Sequence, residues 1–181
     1  MAALHLVRHG QSMWNVAGRV QGQSPRAGSL TALGRVQAAA VGRELTGTAI
    51  VSSDLPRARE TANIIGGMLG LPVLVDAGLR EQRLGALEGR RFADVEPVID
   101  GLWAHPLRLP PGGGESIADL HLRVRRTLSR LATRYAGREV VVVTHGGVLR
   151  VATAGGLRDR PVPRAPVGNT AVITVDPRVV G

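Results

Sequence analysis

Cysteine and lysine are both missing from the 181 residues. Without cysteine there is no disulfide, thiolate zinc site, iron–sulfur cluster or cysteine nucleophile to consider. Aromatic residues are nearly missing too: Trp14, Phe92, Trp103 and Tyr135 make up 2% of the chain. That is too few for a surface on which single-stranded nucleic acid would stack. No apolar run approaches the ~20 residues of a membrane span. Arg8 arrives after seven residues, before a signal with an apolar core and cleavage site could fit. The expectation is a cytoplasmic protein with no membrane partner and no metal-ligand cluster.

What is there reads as one globular domain, residues 1–181, with 44% hydrophobic and 20% charged residues. A chain of this length buries roughly 70% of its unfolded surface, enough for a core without covalent staples. The 23 basic residues are all arginine and outnumber 14 acidic ones, for a net charge of +9. An arginine surplus favours anionic ligands, since the guanidinium fork pairs with phosphate or carboxylate in bidentate fashion. Most of these arginines read as a solvated face. They form no stripe and lack interleaved aromatics, so nucleic acid is not the expected partner.

Short apolar runs at Leu4–Val7, Ala49–Val51, Val73–Val75, Val140–Val143 and Ala171–Val175 read as strands. Between them lie helical stretches. One is capped by Thr31, with Leu33, Val36, Ala40, Val41 and Leu45 as its apolar face and Gly47 as its stop. Another runs from Pro56 to Gly70, and the longest follows Ser116 with Ile117, Leu120, Val124, Leu128 and Leu131 on one side. Gly147 to Ala154 completes the set, while residues 76–115, with several Gly and Pro and only short apolar runs, read as less regular. Strands alternating with helices predict an α/β fold around a mostly parallel sheet.

The residues after each strand carry the chemistry. The first strand leads into Arg8-His9-Gly10, the second into Ser52-Ser53-Asp54 and Arg57, the third into Arg80-Glu81, the fourth into Thr144-His145-Gly146-Gly147. Ligands of open α/β sheets bind beyond the carboxyl ends of the strands. A neutral imidazole can attack phosphorus, arginines can neutralise nonbridging oxygens, and a carboxylic acid can protonate a departing alkoxide. Glycines let backbone approach an anion, and a helix N-terminus offers its amides. His5, His105 and His121 read as ordinary polar residues. His9 differs, because a cationic neighbour disfavours imidazolium and keeps the ring nucleophilic. These residues read as a phosphate or carboxylate site and leave the reaction open.

LVRHGQSMWN at 6–15 resembles the signature of the histidine phosphatase superfamily, in its phosphoglycerate mutase-like branch. Arg19-Val20-Gln21-Gly22 with Leu30–Gly34, SSDLPRARETA at 52–62, LREQRLGALEG at 79–89, Gly113–Ser116 and VTHGGVLR at 143–150 continue the likeness in family order. Six ordered blocks are specific where Arg-His-Gly alone would be weak. The resemblance implies a three-layer α/β/α sandwich with one antiparallel strand, for which 171–175 is the candidate. It implies no metal or organic cofactor. His9 matches the phosphorylated nucleophile, Arg8, Arg57 and His145 the rest of the phosphate pocket, and Glu81 the proton donor. Asn15, Gln21, Gly22 and Gly146 match substrate-contacting positions. Gln11 stands where many members have Glu, and the loop 23–29 departs from the family, with Arg26 read as solvated.

Only 64 positions separate Glu81 from His145, shorter than in glycolytic mutases of the family. A mutase must shield phosphohistidine from water, and a short lid does that poorly. The expected activity is therefore hydrolysis of a small phosphorylated metabolite, with phosphoglycerate mutase-type transfer as the alternative. A noncatalytic binding module would have lost the nucleophile or the acid, and both are present. Substrate selectivity is expected from loop 23–29 and segment 88–115.

Overall fold

In the computed structural model, which describes residues 2–154 and 167–175, the valine run 140–143 lies at the centre of a five-stranded sheet. The strands are β1 (Ala3–Arg8), β2 (Ala49–Ser52), β3 (Val73–Val75), β4 (Glu139–Thr144) and β5 (Val172–Val175), in the order β3-β2-β4-β1-β5. β4 runs parallel to β1, pairing Ala3 with Glu139 through to Arg8 with Thr144, and parallel to β2 on its other side. β3 extends the parallel set, and β5 runs antiparallel to β1, as expected for 171–175. A β-branched run with both faces covered suits a central parallel strand.

Among the described residues six helices, α1 (Met13–Val16), α2 (Ala32–Glu44), α3 (Pro56–Leu69), α4 (Phe92–Ala104), α5 (Ile117–Arg134) and α6 (Gly146–Thr153), accompany the sheet. Alternation along the strands divides the core in two. Val140 and Val142, with Leu4 and Leu6, pack with Leu102 of α4, Leu120, Val124 and Leu128 of α5, and Leu149 of α6. Val141 and Val143, with Val7 and Ile50, pack with Val41 of α2 and Ala58, Ala62 and Ile65 of α3. This is the three-layer α/β/α sandwich. The Ser116–Asp119 capping box starts α5, and Gly70, at φ 66°, ends α3.

Two expectations are corrected. The less regular stretch 76–115 holds a 13-residue helix that was not anticipated, α4. Val95, Ile99, Leu102 and Trp103 make its buried face, although Arg91 gives no side-chain cap and Pro97 sits inside the helix. The face of α2 is also different: Gly34, Ala38, Val41 and Gly42 are buried, while Leu33 and Val36 are 52% and 64% exposed. Small residues let α2 approach α3 closely; a Cβ on Gly42 would stand 2.9 Å from Met68 Sδ and 3.5 Å from Ile65. Among the described residues, no helix is long and apolar enough to cross a membrane.

Candidate active site

Because β1 and β4 are neighbours and Arg8 is level with Thr144, the next residues on each, His9 and His145, emerge side by side. Their ring centroids are 5.3 Å apart, at an interplanar angle of 61°. The His9 amide donates to the Thr144 carbonyl at 2.9 Å, and Asn169 Nδ2 donates to the His9 carbonyl at 3.1 Å. Gly10 must be glycine here, since a Cβ would lie 2.4 Å from the Gly34 backbone oxygen.

His9 is 2% exposed, and its Nδ1 lies 2.7 Å from the Gly10 carbonyl. A carbonyl only accepts, so Nδ1 carries the proton and Nε2 keeps its lone pair. Arg57 Nε donates to that Nε2 at 3.2 Å. Burial, and after it the charges of Arg57 and Arg8, hold His9 well below the usual histidine range, against a smaller opposing effect of the Gly10 carbonyl. The ring is neutral at physiological pH.

Arg57, in the first turn of α3, is 1% exposed. Burial lowers it to about 10, with Glu81 opposing and Arg8 adding to the effect, so it stays charged at neutral pH. Its Nη2 donates to the Gly22 carbonyl at 2.9 Å. Arg8 is likewise lowered by burial, against the attraction of Glu81, and donates to the Val167 carbonyl. His145 precedes the first turn of α6, its Nε2 2.8 Å from Ser53 Oγ. Burial first, then Arg57, His9 and Arg8, keep it well below the ordinary value. Arg8 Nε, Arg57 Nη1 and His145 Nδ1 are buried and have no partner within the protein. Buried polar groups are nearly always satisfied, so three orphans in one cluster mark a place built for an anion.

Glu81 follows a 3-10 turn at Ala77–Leu79 in a stretch without regular structure. Its Oε2 accepts from the Gly147 amide at 3.1 Å, at the start of α6, and its Oε1 from the Gln82 amide at 2.9 Å. Arg8, His9, Gly22, Arg57, Glu81 and Gly146 share a cavity of about 200 Å³. Its outer wall comes from Phe92, Ile99 and Trp103 of α4, with Arg150 5.5 Å over the Trp103 ring. Gln21 also lines it, its Oε1 accepting from Ser12 Oγ at 2.8 Å.

Asn15 does not line the cavity: its Oδ1 accepts from the Ser12 amide at 3.0 Å, closing the capping box of α1. Nor does loop 23–29, where Arg26 is exposed. Segment 88–115 contributes through α4. Sequence reasoning missed the α4 wall and Arg150, and it left Ser53 without a role. The apolar spacing of Val95, Ile99, Leu102 and Trp103 was the available signal for the wall; nothing local pointed to the Ser53–His145 contact. Among the described residues, no group of three or more His, Cys, Asp or Glu side chains could hold a metal ion.

The family model described as histidine phosphatase superfamily (branch 1) matches residues 4–179. A metal-independent phosphoserine phosphatase of Arabidopsis thaliana is 39% identical over 156 residues, covering 80% of this chain. The match spans 64% of that relative, a little under two thirds of its length. A probable phosphoglycerate mutase GpmB of Erwinia tasmaniensis is 36% identical over 189 aligned residues, covering 97% of this chain and 85% of the relative. Among solved structures, a mycobacterial glucosyl-3-phosphoglycerate phosphatase in complex with VO3 superposes with a TM-score of 0.84 at 34% identity, covering 96% of this chain and 92% of that one.

Proposed function

This chain belongs to the histidine phosphatase superfamily, branch 1, and from that premise we propose that it is a phosphomonoesterase in which His9 carries the phosphoryl group. The observation that bears most weight is the state of His9: buried and neutral, with Nδ1–H given to the Gly10 carbonyl and the Nε2 lone pair turned toward Arg57. In this reading the phosphoryl oxygens take up the orphan donors of Arg8, Arg57 and His145, which neutralise charge as it develops. His9 Nε2 attacks phosphorus, the P–O ester bond breaks, and Glu81 passes its proton to the leaving alkoxide. Glu81, then a carboxylate, takes a proton from water as the water attacks phosphohistidine. The P–N bond breaks, inorganic phosphate leaves, and His9 is regenerated.

Gln21, Gly22 and Gly146 border the transferred group in this scheme, and Asn15 acts through the α1 cap. The reading further takes the chain as one catalytic domain acting in the cytoplasm on a small phosphorylated metabolite, with neither nucleic acid nor membrane as partner. Hydrolysis is favoured over transfer by the short interval between Glu81 and His145, which leaves little chain to cover the phosphoenzyme. The relative described as a probable phosphoglycerate mutase makes transfer the competing outcome. A panel of phosphorylated metabolites that includes phosphoserine and phosphoglycerates tests it, with phosphate release and positional isomers both measured. The expected result is phosphate release abolished in His9→Ala; isomer formation without phosphate would establish a mutase, and full activity in His9→Ala would reject the nucleophile.

A further inference from the structure

Arg123 on α5 uses every N–H of its guanidinium. Nε and Nη2 each donate to the Glu115 carboxylate at 2.7 Å. Nη1 donates to the carbonyls of Gly78 at 2.8 Å and Arg80 at 2.9 Å, and Nη2 reaches the carbonyl of Glu81 at 3.3 Å. Two other side chains finish the pattern: Thr144 Oγ1 donates to the Leu79 carbonyl at 2.6 Å, and Gln23 Nε2 to that of Glu81 at 2.8 Å. Four successive carbonyls, 78 to 81, are thus held from outside the segment. Residues 80–84 have neither helix nor strand to fix them, so side chains supply what a hydrogen-bond ladder supplies elsewhere.

We propose that Arg123, oriented by Glu115, is the residue that positions Glu81 for proton transfer, by clamping the backbone on which the carboxylate is mounted. The proposal rests on Glu81 being the general acid. Arg123 does not line the catalytic cavity, and its hydrogen bonds go to the Glu115 carboxylate and to the carbonyls of 78, 80 and 81, so its hold on Glu81 runs through the backbone. Its bidentate pairing with Glu115 offsets part of its charge; what remains reaches the site as one of the smaller effects holding His145 low, and Arg123→Lys retains it. Lysine keeps the charge but is a single point donor without a fork. A charge role therefore survives Arg123→Lys, and a positioning role does not.

The experiment measures single-turnover phosphorylation of the enzyme by an alkyl phosphate, whose alkoxide needs a proton, and by 4-nitrophenyl phosphate, whose phenolate leaves unaided. Misplacing a catalytic group by ~1 Å costs about 100-fold, and that is the loss expected on the alkyl ester in Arg123→Lys. The aryl rate stays close to wild type. In a Glu81→Gln background, the Arg123 substitution adds no further loss, because the group it positions is already gone. Glu115→Gln, a milder change, gives the same selectivity with a smaller loss and carries the test if thermal melting shows Arg123→Lys unfolded. Equal losses on both esters, a loss that multiplies with that of Glu81→Gln, or a wild-type alkyl rate in Arg123→Lys each overturns the positioning role. Glu81→Gln slowing both esters equally would instead remove the acid assignment itself, a result distinguishable from the first three.

Discussion

Gly147 yields its side-chain space to the Glu81 carboxylate: a Cβ there would stand 2.2 Å from Oε1 and 3.1 Å from Cδ. Ordinary contact begins at 3.4 Å, so in Gly147→Ala the oxygen must retreat by about 1.2 Å. The obstructing atom ends a flexible side chain, so the fold can yield. The cost is the hydrogen bond from the Gly147 amide, about 0.5–3 kcal/mol. Alanine in place of glycine in a helix returns about 0.5–1 kcal/mol. At 2–4 °C per kcal/mol for a chain of this size, melting should fall by less than about 10 °C. Catalysis is less forgiving. A displacement of ~1 Å corresponds to about 100-fold, or about 2.7 kcal/mol of barrier. Melting by circular dichroism alongside single-turnover rates on an alkyl phosphate separates the two effects. A folded variant with the wild-type rate would show that the Gly147 contact does not set the position of a catalytic acid.

Gly10→Ala should behave in the opposite way, since its Cβ would meet the Gly34 backbone oxygen at 2.4 Å and backbone cannot step aside cheaply. Stability is expected to fall by about 1–3 kcal/mol together with activity, and an unchanged urea midpoint would disprove the close approach of this loop to α2. A third expectation concerns acid. His9 and His145 are held low in the native state, by burial first and Arg57 next. Unfolding lets both take protons near pH 6.5, so stability is full above that pH and declines as pH falls through it, by up to about 1.4 kcal/mol per unit for each ring. Urea unfolding at pH 7.5 and 5.5 measures the loss, which should be smaller in His9→Asn; no change between these pH values would refute two neutral buried rings.

The strands and the residues at their ends were readable because each is a local signal: Val140–Val143 announces a buried strand, and Arg8-His9-Gly10 or Thr144-His145 follows directly. α4 was missed because its usual markers are absent or contrary, with Arg91 in place of a capping side chain and Pro97 within the helix. α2 was found but its face misjudged, because Gly34, Ala38 and Gly42 register little hydrophobicity while permitting the closest packing. The cavity wall suffered from both problems. Of the two segments expected to shape selectivity, 88–115 lines the cavity through Phe92, Ile99 and Trp103, while loop 23–29 does not. Contacts such as Ser53–His145 and Arg123–Gly78 join residues 92 and 45 positions apart, and no single window of sequence displays them.

The pairing of β1 with β4 has a consequence for the chain while it is being made. Ala3 pairs with Glu139, 136 positions later, and no hydrogen-bonded parallel partner for β1 exists earlier in the sequence. At roughly 5–20 residues per second on the ribosome, β1 waits about 7–27 s after its own synthesis for that partner. Throughout, Leu4, Leu6 and Val7, all fully buried once folded, remain without their native cover. An apolar strand with a free edge is what holdase chaperones recognise and what pairs wrongly with neighbours. α2 and α3 can form early from local contacts, but His9 and His145 come together only when β4 slots between β1 and β2. Translation stalled anywhere before residue 145 leaves an enzyme with no site at all.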